Sequence, residues 1–261
     1  MRLFLRCGKN HNGNLENLYK FVDFANQYSL VEGIVVEVYG NAYSDVKKQE
    51  QHTKIDVVDL FSLRKLTKKK IVCQLFDALL FDDVKDYCDY FYVNSIDALE
   101  YQQLINKIIN NKKPAIVSLA GLDETQIAQA VKNFDGVEAI YDFGNLAKRP
   151  DVQDVNYHRI LDSIALFYKL GLQPKFSYSV KLPIDLIPYV MQIYNLEYCI
   201  LPIDITGNGY EKLTSFTKEQ ITDIIQNLSM LEKMFSCGCV VSPSDVSEQK
   251  YHKRNENGLL P

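Results

Sequence analysis

Eight short apolar runs, each followed by a segment with helical spacing, recur along the whole 261-residue chain. No other feature limits its folds as much. The strand candidates are residues 3–7, 33–38, 71–76, 90–94, 115–119, 137–143, 175–179 and 198–203. Their continuous apolar character fits parallel strands covered on both faces. After the first run, Leu15, Leu18, Phe21, Val22 and Ala25 recur at helical spacing behind an Asn14 cap. Ser95 is placed to cap a helix carrying Leu99, Leu104, Ile105 and Ile108. Asp123 with Gln126, and Thr217 with Gln220, have the spacing of capping boxes ahead of apolar periodic stretches. The second and third crossovers, 56–63 and 81–87, read as short helices at best.

Eight strand–helix units can close into a barrel or spread into an open doubly wound sheet. Closure is favoured by the count, by the even size of the units and by the lack of a Pro-, Gly- or Ser-rich linker. No G-x-G-x-x-G turn follows the first strand, as a dinucleotide site would need. The expectation is an α/β chain forming one (β/α)8 TIM barrel over residues 1–261, a length close to the ~250 residues typical of that fold. With 47% hydrophobic residues, the chain can bury a large core.

A net charge of −4 gives no electrostatic reason to expect nucleic acid or an anionic membrane as partner. The run Lys68-Lys69-Lys70 reads as a solvated turn. The start, Met1 to Arg6, is too short and too interrupted for a signal peptide, and no window approaches ~18 apolar residues. Cys7, Cys73 and Cys199 lie in or beside strand-like runs, where a free thiol behaves as a small hydrophobe. The pair Cys237 and Cys239 lacks the spacing of a zinc or redox site. A reduced, cytoplasmic protein is expected, and a homo-oligomer or a partner enzyme is compatible with the sequence.

In such a barrel the active site lies at the carboxyl ends of the strands. That rule selects Lys9, Asn10 and His11 from strand one, Glu37 and Tyr39 from two, Gln74 and Asp77 from three, and Asn94, Ser95 and Asp97 from four. Ser118, Asp142, Asn145, Ser177, Ser179, Lys181 and Asp204 follow, with Glu211 and Lys212 in the last loop. The carboxylates Glu37, Asp77, Asp142 and Asp204 can bind a hard cation or the hydroxyls of a polyol. Asp77 and Asp97 serve equally well as helix caps. Glu37 sits inside an apolar run, so it needs a ligand or an ion-pair partner, and Lys9 is the nearest candidate. Of the four histidines, His52 reads as loop, His158 as helix surface and His252 lies near the carboxyl end. Only His11 falls at the rim.

Gly8-Lys9-Asn10-His11-Asn12-Gly13-Asn14-Leu15 resembles the G-x-N-H-x-G-x-L run that opens the barrel of the N-acetylneuraminate (sialic acid) synthase family. The resemblance continues in order through Gln74-Leu75-Phe76-Asp77, Tyr92-Val93-Asn94-Ser95-Ile96-Asp97, Pro114-Ala115-Ile116-Val117-Ser118 and Ser215-Phe216-Thr217-Lys218-Glu219-Gln220-Ile221. Pro243-Ser244 and the Arg254 region echo the family's exit from the barrel. The family condenses phosphoenolpyruvate with an N-acylated hexosamine, using a divalent metal, usually manganese. The resemblance implies a role in sialic or other nonulosonic acid biosynthesis for surface glycans.

The same alignment removes much of the family's equipment. Its first-strand glutamate falls on Arg6, and a strand-two lysine falls on Glu37, a charge reversal. A strand-four lysine falls on Tyr92 or its neighbour. The two metal histidines fall on Asp204 and on Lys212 or Glu211, which does not preserve a manganese site. The family's antifreeze-like carboxyl-terminal domain is not expected. Three readings follow: a barrel with lost or altered condensation chemistry, an active but divergent synthase, or a sugar- or protein-binding barrel of unrelated role. The expected catalytic residues are Glu37, His11 and Asp204. Expected substrate contacts are Arg6, Lys9, Asn10, Gln74, Asp77, Asn94, Ser95, Ser118, Asp142, Ser179 and Lys212. If active, Mn2+ or Mg2+ would bind His11 and Asp204.

Overall fold

Apolar residues at consecutive positions of most runs give a strand two buried faces, and such strands have no stable edge unless they pair on both sides. The computed structural model, which describes residues 1–40, 57–144, 157–173, 175–179 and 187–236, resolves this by closure. Eight parallel strands pair in sequence order and the eighth returns to the first. They are β1 (Arg2–Arg6), β2 (Val31–Val38), β3 (Lys70–Leu75), β4 (Tyr90–Val93), β5 (Ala115–Ser118), β6 (Ala139–Asp142), β7 (Lys175–Ser179) and β8 (Tyr198–Pro202). This is the expected (β/α)8 barrel.

The helices are α1 (Leu15–Asn26), α2 (Val57–Leu66), α3 (Phe81–Val84), α4 (Asp97–Glu100), α5 (Gln102–Asn110), α6 (Glu124–Asn133), α7 (Tyr157–Lys169), α8 (Ile187–Ile193) and α9 (Lys218–Ser236). Asn14 caps α1 by accepting from the Glu16 N–H at 2.8 Å. Asp123 and Gln126 close a reciprocal capping box on α6, and Thr217 and Gln220 do the same on α9. Ser95 departs from its expected role. The chain turns helical only at Asp97, Ser95 Oγ makes no capping bond, and a break at Tyr101 separates α4 from α5. Lys69 also departs from expectation. It is no solvated turn residue, because its ammonium donates to the Tyr28 and Val31 carbonyls at 2.8 and 2.6 Å.

Strand alternation sorts the core into two regions. Outward side chains pack under the helices in one large cluster, which takes in buried Cys7, Cys73, Cys88 and Cys199. Inward side chains form a second cluster of Phe4, Val35, Val72, Tyr92, Ile116, Ile140 and Ile200. Tyr90 and Tyr198 close it below, their ring centroids 6.2 and 5.3 Å from Phe4. The amino-terminal end of the barrel is thereby plugged, so polar chemistry is confined to the carboxyl end. Among the described residues no helix is long and apolar enough to cross a membrane.

Candidate functional site

Two residues beyond most members of the inner apolar cluster, the strands turn polar. Phe4 is followed by Arg6, Val35 by Glu37, Val72 by Gln74, Ile116 by Ser118 and Ile140 by Asp142. Because the side-chain period of a strand is two, all of these face the barrel axis. Register sets them side by side: Glu37 pairs with Gln74, Gln74 with Tyr92, Ser118 with Asp142, and Asp142 with Ser177. The floor of the mouth is therefore a polar ring on an apolar plug.

On one side of the ring Arg6 meets Glu37. Arg6 Nε donates to Glu37 Oε1 at 3.2 Å and the guanidinium forms a close ion pair with the same oxygen. The Tyr39 hydroxyl donates to Glu37 Oε2. Burial pushes the Glu37 carboxyl up, but Arg6 and the Tyr39 hydrogen bond outweigh it and hold the group below its ordinary range. Burial likewise opposes the charge on Arg6, and Glu37 more than restores it. The partner of Glu37 is thus Arg6, not Lys9. Arg6 is the inward residue on the neighbouring strand, whereas Lys9 lies beyond the strand end. Its ammonium sits 5.7 and 5.6 Å from the ring centroids of Tyr39 and Tyr210. Tyr39 also stacks on Phe76 at 4.5 Å.

Gly8, at φ +52°, separates Glu37 from a second carboxylate. A methyl group there would overlap Glu211 Oε2 and stand 3.7 Å from Glu37 Oε1. Only glycine allows both the left-handed backbone and this approach. Glu211 accepts from the Lys9 backbone N–H at 3.4 Å. Burial first, and then the charge of Glu37, raise its carboxyl above the ordinary range.

Across the ring Asp142 is fully buried. It accepts hydroxyls from Tyr92 at 2.9 Å, Ser177 at 3.1 Å and Ser179 at 2.5 Å. Burial raises its carboxyl and these three donors oppose the rise.

Asn10, His11 and Asp204 converge at the β1–β8 corner, where they organise backbone. Asn10 Nδ2 donates to the Ile203 carbonyl at 2.9 Å and to Ser215 Oγ at 2.8 Å, and its Oδ1 accepts from the Glu211 N–H at 2.7 Å. Asp204 accepts from the N–H groups of Thr206, Gly207 and Gly209 and from the Thr206 hydroxyl, all within 3.1 Å. His11 Nδ1 accepts from the Gly13 N–H at 3.1 Å. These contacts engage both Asp204 oxygens and His11 Nδ1 in holding backbone. Among the described residues no three His, Cys, Asp or Glu side chains gather to complete such a site. The residues present do not fit the metal that the resemblance implies.

Gln74 donates to Asn94 Oδ1 at 2.9 Å, and Asn94 donates to Asp97 at 3.3 Å. Asp77 caps the 3-10 turn Ala78–Leu80, accepting from the Leu79 N–H at 2.9 Å. It lines a cavity of about 560 Å³ beside the mouth, with Phe76, Ile96, Asp97, Glu100 and Tyr101. Ser118 Oγ accepts from the Ala120 N–H at 3.3 Å. Lys212 stands exposed on the 3-10 turn Lys212–Thr214. Asn145, Lys181, His52, His252, Cys237, Cys239, Pro243, Ser244 and Arg254 lie outside the described residues, as does the side chain of His158. Tyr92 and Tyr210 were not expected as partners of charged groups. The signal for Tyr92 was its position, two residues before inward Asn94.

No protein-family model and no curated protein matches the sequence. Solved structures do share the fold. N-acetylneuraminic acid (sialic acid) synthetase from Leptospira borgpetersenii serovar Hardjo-bovis, solved in complex with citrate, superposes with a TM-score of 0.79 at 16% identity, over 96% of this chain and 90% of that one. The barrel is similar in fold to that synthetase. The spore coat polysaccharide biosynthesis protein SpsE from Bacillus subtilis gives a TM-score of 0.76 at 13% identity, over 94% of this chain and 72% of that one. A truncated 3-deoxy-D-arabino-heptulosonate 7-phosphate synthase from Thermotoga maritima gives 0.66 at 13% identity, over 90% and 87%. At these identities the likeness of the barrel to each is one of fold.

Proposed function

We propose that this chain is a barrel protein of nonulosonic or sialic acid biosynthesis that keeps a sugar-binding mouth and has lost the condensation of phosphoenolpyruvate with an N-acyl hexosamine. The observation that carries the reading is the closed Arg6–Glu37–Tyr39 group. Phosphoenolpyruvate brings a phosphate and a carboxylate and needs uncommitted cations. Here the inward guanidinium is already neutralised by Glu37, and the Lys9 ammonium lies against two tyrosine rings. Among the described residues Glu37, Asp142 and Glu211 add negative charge around the same axis. Polar groups on an apolar floor, with the stacked rings of Tyr39 and Phe76 beside them, suit a polyol.

The test is turnover. Purified full-length protein is incubated with phosphoenolpyruvate, N-acetylmannosamine and Mn2+, and released phosphate is followed. The expected result is no release above buffer, and no rise in thermal midpoint with phosphoenolpyruvate alone, since a ligand that prefers the native state must raise it. Citrate, the tricarboxylate named with the Leptospira structure, is expected to give no rise either. Phosphate release dependent on both substrates overturns the reading and establishes an active, divergent synthase.

A further inference from the structure

Among the described residues two buried side-chain atoms have no hydrogen-bond partner, Gln74 Oε1 and Ser95 Oγ. Gln74 is 3% exposed, faces the barrel axis and is register-paired with Glu37 on the next strand. Its amide nitrogen is used by Asn94, so the atom left over is an acceptor. Leaving such an atom buried and unpaired forfeits its hydrogen bonds to water without replacement, which makes it a specific demand for a donor.

Glu211 stands nearby and is half-buried, and among the described residues its side chain accepts one long hydrogen bond, from the Lys9 backbone N–H. Glu37, which faces the same side of Gly8, has both oxygens engaged by Arg6 and Tyr39. The cations of the mouth are committed to Glu37 and to the tyrosine rings, so the unmet capacity is acceptor capacity. A phosphate or carboxylate offers only more acceptors. A plain hexose offers hydroxyls. An N-acetyl group replaces the donors of an amine with one N–H and adds a carbonyl acceptor. A protonated amine offers three donors, no acceptor and a positive charge.

We propose that the mouth selects a hexosamine whose amine is free and protonated, seated between the Glu211 carboxylate and the Gln74 amide oxygen beside Glu37. This rests on the sugar-binding reading above and goes beyond it by fixing the charge of the ligand. Burial and the neighbouring charge of Glu37 raise the Glu211 carboxyl against the pull of Arg6 and Lys9, so a further cation is favoured there.

The test is calorimetric titration of the full chain at neutral pH with mannosamine, N-acetylmannosamine and mannose. Glu211→Gln and Gln74→Leu are titrated in parallel, and their thermal midpoints verify folding. A charge-assisted hydrogen bond worth about 1.5–3 kcal/mol gives mannosamine an advantage of roughly tenfold to a hundredfold over the other two. Glu211→Gln is expected to abolish that advantage, and Gln74→Leu to weaken mannosamine. Equal or tighter binding of N-acetylmannosamine overturns this inference and leaves the loss of condensation standing. An advantage that survives Glu211→Gln overturns it as well, and so does the failure of all three sugars to bind. Phosphate release in the turnover assay, by contrast, overturns the parent reading whatever the sugar preference.

Discussion

Arg6 on β1 and Glu37 on β2 form an ion pair at the base of the barrel mouth, with Arg6 Nε 3.2 Å from Glu37 Oε1 and the carboxylate 3% exposed. Breaking such a pair from one side strands a buried charge, whereas replacing both partners with apolar groups removes the desolvation cost as well. Arg6→Met is therefore expected to destabilise the fold by about 3–5 kcal/mol. The double variant Arg6→Met with Glu37→Leu should recover most of that loss, measured by urea denaturation.

Tyr92 and Asp142 give a second test. The Tyr92 hydroxyl donates to Asp142 at 2.9 Å inside a fully buried network. Tyr92→Phe keeps the ring in the inner cluster and deletes one bond to a carboxylate. The expected loss is about 1.5–3 kcal/mol, the range for hydrogen bonds to charged groups, again from denaturant titration.

The two carboxylates have opposite pH signatures. Glu37 is held low when folded, so its contribution is present above the unfolded value of about 4.3 and is lost as pH falls through the lowered folded value. Asp142 is raised when folded. Its contribution is fully present below the unfolded value of about 3.9 and is lost as pH rises through the folded value. Thermal midpoints across the acid range should show Glu37→Gln flattening the acid-side loss and Asp142→Asn flattening the fall on the other side. Identical profiles for the two variants would contradict the assignment.

Asp204 is expected to act on its loop. It receives four hydrogen bonds from Thr206, Gly207 and Gly209. Asp204→Ala should raise amide hydrogen exchange across 204–215, with little change in β5 and β6. Asn10→Ala should raise exchange in the same segment, because Asn10 ties Ile203, Glu211 and Ser215 together. A variant that abolished ligand binding without changing exchange would instead assign Asp204 a direct role in binding.

Most of the barrel was legible because its signals are local. A run of β-branched residues, a capping box or an Asn before an amphipathic turn carries its own physics, and all eight strands lie where the apolar runs stand. The misplaced elements failed for non-local reasons. Ser95 has the right residue type for a cap, yet the chain turns helical only at Asp97, and the helix breaks at Tyr101, whose hydroxyl accepts from the Ala78 N–H at 2.9 Å. Lys69 looks like a surface lysine until β2 brings two carbonyls to it.

The rim residues were legible as a set, because strand parity selects them. Their partners were not. Glu37 chose Arg6 over Lys9 because parallel register sets Arg6 beside Val35, one pleat below Glu37, a relation invisible from residue order alone. The hydrogen bonds of Asp204 were not legible either, because nothing in the sequence says that three following N–H groups fold back onto it.

The aromatic plug of Phe4, Tyr90 and Tyr198 has a kinetic meaning. A tube sealed at its floor is a cul-de-sac, so whatever enters the mouth must leave by the way it came. Two molecules cannot pass one another along the axis, and the deepest occupant is the last one free to go. Bound sugar would shield the polar ring from solvent for its whole residence time, and anything docked on the rim would control its release.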